Sequence, residues 1–415
     1  MQGDLPLGQN RGFVRLWSAR VVSRFGSALG YVVLIWFVYA ETGSALAVVY
    51  VGLAEFLPTI AFGLFSGVIV DRYERRRVIV LSTLGRSAAM GGLVVSLYLL
   101  GFDLAVIVVA SAIFSVCATF FGPGSQSLLP ELVPRQSLDR ANGLFESSES
   151  VVAIAGSGVA GALLILVGAI PSLGIDAVSY LVAALLIAAI GVTAIPARTP
   201  SVSTGLIQEV REGLAYLRSA RGLLQLTLIS LVANFLFSIV LTFLVVYTSD
   251  ILRGSALIYG VLEALLAAGW GIGGLLVGRL HITRYTGRLA ALSGFVEGGV
   301  VLGLILLPSV SIALPLVFLV GLWQGILSVT WLSTVQAGVP QQYQGRYFAT
   351  DNALSYAAIP GSQILGGVLI VAVGLSTTFL AIGIASLASS LGYLSLRRVR
   401  NLGYDPRSSS GAELS

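Results

Sequence analysis

The chain has 415 residues, of which 56% are hydrophobic and 10% are charged, and its mean hydropathy is +0.93. A soluble domain carries about a quarter charged residues, so this composition excludes an ordinary soluble globule. The apolar residues form stretches of about 18 or more, long enough to cross about 30 Å of hydrocarbon as helices. The stretches are continuous rather than alternating, and backbone groups in lipid need internal hydrogen bonds. We therefore expect an all-α integral membrane protein.

Twelve apolar stretches follow one another and predict twelve transmembrane helices, called span 1 to span 12. They fall at residues 13–40, 45–70, 78–101, 104–128, 140–168, 171–195, 222–249, 255–279, 288–307, 311–337, 346–373 and 375–396. Residues 1–12 are polar and the first stretch is too long for a cleavable signal, so we expect no separate secretory signal.

All basic residues except one histidine are arginines, and their distribution predicts the orientation. Nineteen of the 24 arginines lie in the N-terminal segment, the loops that follow even-numbered spans and the C-terminal tail. The opposite loops hold only Arg253. The positive-inside rule then places both termini in the cytoplasm, in a multi-pass protein that we expect in the plasma (inner) membrane. The net charge of +5 reflects topology, and we expect no nucleic-acid partner.

The chain has no lysine, which excludes a Walker A nucleotide site and a Schiff-base cofactor. His281 and Cys117 are each the single residue of their type, so no zinc cluster and no disulfide framework are expected. We expect no enzymatic activity, no metal, no cofactor and no ATP. Any uphill transport would have to draw on an ion gradient or a partner.

An internal repeat relates the two halves of the chain. The segment VPRQSLDRANGLFESSESVVAIAGSG around spans 4 and 5 recurs as VPQQYQGRYFATDNALSYAAIPGSQ around spans 10 and 11, which aligns Arg140 with Arg346. We expect four parts: an N-terminal six-helix bundle at 1–195, a cytoplasmic linker with an amphipathic helix at 196–221, a C-terminal six-helix bundle at 222–400 and a disordered cytoplasmic tail at 401–415.

Charge is concentrated between spans 2 and 3, where residues 66–80 read SGVIVDRYERRRVIV. The pattern G-x-x-x-D-R-x-x-R-R at this point, with six spans, a linker and six more, resembles the major facilitator superfamily. The segments TGSALAV, LLPELVPRQSLDRANGL, IDAVSYLVAALL and EVREGLAYLR resemble the branch that contains bacterial enterobactin exporters and macrolide-efflux proteins.

The resemblance implies the major facilitator fold, with two pseudo-symmetric six-helix bundles, and a monomer in the lipid bilayer that exchanges a small-molecule substrate for protons or another ion. We expect efflux of a bulky amphipathic compound, such as a drug, macrolide or siderophore, by alternating access. The alternatives are an ion-coupled uptake symporter for a small metabolite and a non-transporting sensor or assembly protein.

The chain departs from its branch at two places. Related proteins often carry an aspartate in span 1 and an arginine in span 2, where this chain has Ser27 and Glu55. The antiporter pattern of span 5 usually contains Gly-Pro, whereas this chain has Gly156-Ser157 and retains Gly158 and Gly161.

The charged loop, residues 71–77, has two explanations. Its arginines can anchor a short loop in the lipid headgroup layer. The resemblance also implies a latch, in which Asp71 meets the positive N-terminal end of span 11. The gating residues of this latch would be Gly67, Asp71, Arg72, Arg75 and Arg76.

Several ionisable residues lie at membrane depth, where they are candidates for function. Arg20 and Arg24 of span 1 match the depth of Glu146 and Glu149 of span 5, so we expect a pair or a network, either structural or proton-coupling. Glu55 and Glu263 lack an evident basic partner and are the other candidates for proton coupling.

Three further charges are expected to lie elsewhere. Glu297 would face its neighbours or lipid, Arg86 would lie near the inner interface, and Asp176 would be close enough to the outer interface to be solvated.

By analogy with the superfamily, spans 1, 4, 7 and 10 line the substrate cavity. The candidate lining residues are Tyr31, Trp36, Phe121, Asn234, Trp323 and Gln324. Aromatic and amide side chains suit a bulky amphipathic compound. The alternative is that these aromatic residues only pack against neighbouring helices.

Overall fold

The computed structural model describes residues 7–191, 221–280, 285–339 and 341–395. Within these ranges all regular secondary structure is helical. The expected linker helix and the C-terminal tail at 401–415 lie outside the described residues.

Helical segments occupy all twelve predicted positions. They are span 1 Arg11–Thr42, span 2 Ala45–Arg72, span 3 Arg75–Leu100, span 4 Leu104–Ala118 with Phe121–Leu132, span 5 Leu138–Leu166, span 6 Ala169–Ala188, span 7 Arg221–Thr242 with Leu244–Val246 and the π-helical turn Tyr247–Ile251, span 8 Ala256–Leu280, span 9 Thr286–Leu306, span 10 Val310–Gly338, span 11 Gln341–Val373 and span 12 Leu375–Ser395.

Length and composition support membrane crossing. In the described part of the chain, nine helices are long and apolar enough to span a bilayer, and span 7 makes ten if its two pieces, which meet at 41°, are counted together. Spans 11 and 12 contain the shorter apolar helices Ala358–Val373 and Leu375–Leu391. The protein is an all-α, multi-pass membrane protein.

Local signals explain where several helices begin and end. The side chain of Asn10 accepts a hydrogen bond from the backbone N–H of Phe13 at 3.0 Å and so caps the start of span 1. Gly43 ends the same helix with φ of 58°, a left-handed conformation that glycine adopts without strain. Asp103 caps span 4 by accepting from two backbone N–H groups.

The helices group into two units. Unit 1 contains spans 1–6 together with residues Ala256–Ala264 at the start of span 8, and unit 2 contains span 7, the remainder of span 8 and spans 9–12. Within unit 1, span 3 packs on spans 4 and 6, and span 1 packs on spans 5 and 6. Within unit 2, span 9 packs on spans 10 and 12, and span 7 packs on spans 11 and 12. The same pairs recur six spans later, as the internal repeat predicts.

Paired glycines bring spans 8 and 10 into backbone contact inside unit 2. Gly269 and Gly273 of span 8 face Gly321 and Gly325 of span 10, and a Cβ atom at any of these positions would overlap the opposite backbone. Two small residues four positions apart on each helix are the usual signal for such a close crossing. These contacts hold the part of span 10 that carries Gln324 against span 8. The side chain of Gln324 lines a cavity described below.

Candidate functional site

Two acidic side chains of unit 1 act on the same tyrosine, although they lie on different spans. Glu55 lies in span 2 and Glu263 in span 8, and the charge of each carboxylate acts on the hydroxyl of Tyr31 in span 1. Tyr259, one turn before Glu263, forms a hydrogen bond with its carboxyl group. Trp36 stacks on Tyr259 with 5.9 Å between the ring centroids. These five residues are called the acidic–aromatic site.

Neither carboxyl group of this site has a cation beside it. Glu55 and Glu263 form no ion pair with any described residue, and both are partly buried. The hydroxyl groups of Thr59 and Ser115 donate hydrogen bonds to the backbone carbonyl oxygen of Glu55, not to its carboxyl group. Unpaired acids at membrane depth are costly and mark ion or substrate pathways. The site combines proton-binding groups with an aromatic surface.

Close packing between span 5 and the start of span 8 supports the acidic–aromatic site. A Cβ atom on Gly161 would lie 2.7 Å from the carbonyl oxygen of Ala256, and one on Gly260 would lie 2.8 Å from that of Ser157. Only glycine allows backbones to approach this closely. Gly161, a glycine of the antiporter pattern, therefore has a packing role inside unit 1.

Arg86 of span 3 organises a second polar cluster in unit 1, called the Arg86 cluster. Its guanidinium donates to the hydroxyl oxygen of Ser23 at 3.0 Å and to that of Ser27 at 2.8 Å. Tyr180 of span 6 donates to the same Ser27 oxygen at 3.1 Å. The guanidinium carbon lies 4.0 Å from the ring centroid of Tyr180 and 4.8 Å from that of Phe114, which are cation–π distances.

Asp176 of span 6 supplies the negative charge of the Arg86 cluster. It is 2% exposed, and Arg86, which acts on it electrostatically, is 5% exposed. The carboxyl group lies in a groove of span 1 at Gly26 and Gly30, where a Cβ atom on Gly26 would be 2.7 Å from Asp176 Oδ1. Among the described residues, Oδ1 has no hydrogen-bond partner. Arg86 and Asp176 thus lie buried in one cluster and interact electrostatically without a direct ion pair between them, and one carboxyl oxygen remains unsatisfied.

The expectation for Asp176 is wrong, because its side chain is shielded from solvent. Arg86 is enclosed by helices at 5% exposure, and its expected place near the inner interface stays a prediction. Position along a span predicts depth but not the face on which a side chain lies. The spacing of Gly26 and Gly30, four residues apart, is the sequence signal for a neighbour that approaches closely. Ser27, which stands where related proteins often carry an aspartate, belongs to this cluster.

One pair of the network expected between spans 1 and 5 forms. Arg20 Nε lies 2.5 Å from Glu149 Oε1, and Arg20 Nη1 donates to the hydroxyl of Ser125 at 3.0 Å. Arg24, expected to be a buried partner, is exposed, as is Glu146, and neither forms an ion pair with a described residue. Four and three residues along a helix of 3.6 residues per turn leave offsets of about 40° and 60°, and at these offsets both side chains are exposed.

Glu149→Gln is expected to lower the free energy of unfolding by about 1–2 kcal/mol, because it leaves the partly buried Arg20 without a counter-charge. The matched control is Glu146→Gln, the same change one turn earlier on an exposed side chain. Thermal unfolding of the two purified variants in detergent measures the difference. Equal midpoints would show that the ion pair does not stabilise unit 1.

The arginines of the charged loop bind within unit 1. Arg75 Nη1 donates to the carbonyl oxygen of Ser127 at 3.0 Å and forms an ion pair with Glu131. Arg76 donates to the carbonyl oxygens of Ala188 and Ile190 at the C-terminal end of span 6, where a cation is favourable. Protein groups of unit 1 therefore hold both arginines. Gly67 and Arg72 are exposed, and the side chains of Asp71 and Arg346 are outside those described, so the latch stays a prediction.

The candidate cavity residues occupy different surroundings. Tyr31 and Trp36 belong to the acidic–aromatic site, and the ring of Phe121 lies 5.7 Å from the guanidinium carbon of Arg86. Trp323 is partly buried. Asn234 and Gln324 line a cavity of about 220 Å³ inside unit 2. Sequence reasoning missed Glu297 as a member of that cavity.

A helical protein with twelve hydrophobic segments, a repeated six-span pairing and unpaired acids at membrane depth is a membrane transporter of the major facilitator class. The sequence profile described as transmembrane secretion effector matches residues 5–410. The chain belongs to this family of the major facilitator superfamily, which confirms the fold class and the resemblance noted in the sequence.

Characterised relatives cover nearly the whole chain. It is 26% identical to macrolide efflux protein A of Streptococcus pyogenes, over 94% of this chain and 97% of that protein. It is 30% identical to the multidrug efflux pump Tap of Mycolicibacterium fortuitum, over 92% of this chain and 95% of that protein. Efflux transporters are thus its relatives.

Solved structures share the fold. A peptide transporter POT superposes with a TM-score of 0.75 at 14% identity, covering 95% of this chain and 96% of that chain. A bacterial homologue of the human lysosomal transporter Spinster gives a TM-score of 0.69 at 14% identity, covering 96% and 99%. These likenesses concern the fold alone.

Proposed function

We propose that this transporter exports bulky amphipathic organic compounds, drugs or macrolides among them, in exchange for protons. The observation that carries the proposal is the acidic–aromatic site, where the partly buried Glu55 and Glu263 form no ion pair with a described residue, and where Glu263 is hydrogen-bonded to a tyrosine that stacks on Trp36. The relatives support the direction of transport and the type of substrate, since they are a macrolide efflux protein and a multidrug efflux pump.

The chemistry of coupling is the neutralisation of these carboxyl groups. In a water-poor site a carboxylate is compensated by a bound cation or by a proton. A proton taken up from outside and released inside would change the charge of the site during an alternating-access cycle. The protonated and ionised sites would then favour different conformations of the transporter. Tyr31 and Tyr259 can pass or hold the proton through their hydroxyl groups.

The aromatic part of the site suits the substrate. Tyr31 is 39% exposed, and Trp36 is partly buried, with its ring stacked on the buried ring of Tyr259. Flat faces of this kind bind apolar surface, while the hydroxyl and carboxyl groups orient a polar end. A compound with an apolar surface and a polar end, which is an amphipathic compound, would fit this site.

Membrane placement follows from the arginine distribution. We place both termini in the cytoplasm, because 19 of the 20 arginines in loops and terminal segments lie on one side. A monomer in the plasma membrane is proposed from the resemblance to the superfamily alone.

The proposal is tested by measuring accumulation of ethidium and of erythromycin in bacterial cells with and without the protein. Expression is expected to lower accumulation of at least one compound several-fold, and a protonophore is expected to abolish the difference. Greater accumulation in expressing cells would indicate an uptake symporter. Loss of the difference only when the sodium gradient is removed would replace the proton by another ion.

A further inference from the structure

A cavity inside unit 2 is lined by acidic side chains that the proposed function does not explain. Its volume is about 220 Å³, and residues of spans 7, 8, 9, 10 and 11 line it. Hydroxyl and amide groups make up much of its polar lining. Two carboxyl groups, Glu297 of span 9 and Asp351 of span 11, are its only charged groups among the described lining residues.

Glu297 is held rigidly and is incompletely satisfied. It is 2% exposed, and its Oε1 accepts a hydrogen bond of 2.9 Å from Gln324 Nε2. The other oxygen, Oε2, has no hydrogen-bond partner among the described residues. Gly298, the next residue, packs so closely on span 12 that a Cβ atom there would lie 2.6 Å from the carbonyl oxygen of Gly383. The backbone therefore cannot easily withdraw the carboxyl group.

Two tryptophans complete the surroundings of this acid. Trp270 and Trp331 line the same cavity. The face of an indole ring attracts cations, and an acid that lacks a hydrogen-bond donor attracts a group that carries both charge and N–H. An unpaired buried carboxylate is costly, so a ligand of this kind would remove a penalty that the empty protein bears.

We propose that this cavity binds the ammonium group of an organic amine, with Glu297 Oε2 as its counter-ion and acceptor. The inference rests on the proposed export function and specifies the charge of its substrate. A volume of about 220 Å³ is below the range of about 300–1,000 Å³ that holds a whole drug-sized ligand. The cavity thus takes the cationic end of a larger compound, or a small amine entire.

Protons compete with such a ligand. The titratable side chains that line the cavity are Glu297 and Asp351, and a proton on either removes counter-charge from the amine. The affinity of the cavity for an amine that stays protonated between pH 6 and pH 8 is therefore expected to fall as the pH is lowered.

The test is equilibrium binding of 2-phenylethylammonium to the purified full-length protein in detergent, without any ion gradient. The neutral ligand 2-phenylethanol has the same ring and chain but no charge. Glu297→Gln is expected to weaken binding of the amine about tenfold or more, as loss of a buried charge partner does, and to leave binding of the alcohol within about twofold. Lowering the pH from 8 to 6 is expected to weaken amine binding to the original protein more than to Glu297→Gln, which retains Asp351.

Two controls separate the outcomes. Glu41→Gln removes an exposed acid at the end of span 1 and is expected to change neither ligand, and thermal unfolding confirms that each variant is folded. Equal loss of amine and alcohol binding in Glu297→Gln, or no loss, would overturn the cation site. Glu297-dependent binding of an amine that the protein does not export would leave the cation site standing and count against the export function.

Discussion

Glu55→Gln and Glu263→Gln are each expected to reduce proton-driven export about tenfold or more, while exchange of substrate across the membrane without a gradient continues. Glutamine has nearly the size of glutamic acid and resembles its protonated form, but it cannot release a proton. A glutamine at either position keeps that side chain neutral throughout the cycle, so the proton gradient can no longer drive export. Exchange needs only the conformational change and substrate binding, which the glutamine retains.

The measurement uses protein reconstituted in liposomes, with an imposed pH gradient for uphill export and equal pH for exchange. Glu41→Gln is the matched control, since it makes the same change on an exposed side chain. Loss of both activities in a folded variant would show that the glutamate binds substrate or shapes the site rather than coupling the proton. Unchanged uphill export by both variants would remove the acidic–aromatic site from the mechanism.

The two variants also report on each glutamate separately, because Glu55 lies in span 2 and Glu263 in span 8. If both variants fail, both carboxyl groups are needed for coupling. If only one fails, the other serves the protein by packing or by substrate contact.

Hydropathy was sufficient to predict the positions of all twelve helices, because crossing a bilayer demands long apolar stretches with internal backbone hydrogen bonds. The repeat around Arg140 and Arg346 predicted that two sets of six spans share one design, and the recurring span pairs agree with it. The pair of Arg20 and Glu149 followed from matching depth on two spans that the superfamily places side by side.

The composition of the sites was less accessible from sequence, because depth along a span does not specify which face a residue occupies. The sequence predicts Glu55 and Glu263 as acids without basic partners, whereas the place of Glu263 within unit 1 depends on close packing at Gly161 and Gly260. For Glu297 the sequence predicts a neighbouring helix or lipid, and the structure shows a hydrogen bond from Gln324 of span 10. Such contacts join residues far apart in the chain.

Arg86→Met is expected to lower the stability of the folded protein by about 3–5 kcal/mol, because it leaves Asp176 buried with its carboxylate uncompensated. Asp176→Asn is expected to cost less, since Arg86 keeps its two serine hydroxyl groups and its aromatic neighbours. If the two charges compensate each other, the double variant is more stable than the sum of the single changes predicts, by about 1–3 kcal/mol.

Thermal and urea unfolding of the two single variants and the double variant measure this double-mutant cycle, with Arg24→Met as the control. Arg24 is an exposed arginine of the same bundle, so its replacement is expected to leave the unfolding midpoint unchanged. Strict additivity of the two single changes would mean that Arg86 and Asp176 stabilise unit 1 separately, through the serines and through the glycine groove. A positive coupling would show that a charge pair inside one bundle holds span 3 and span 6 against span 1.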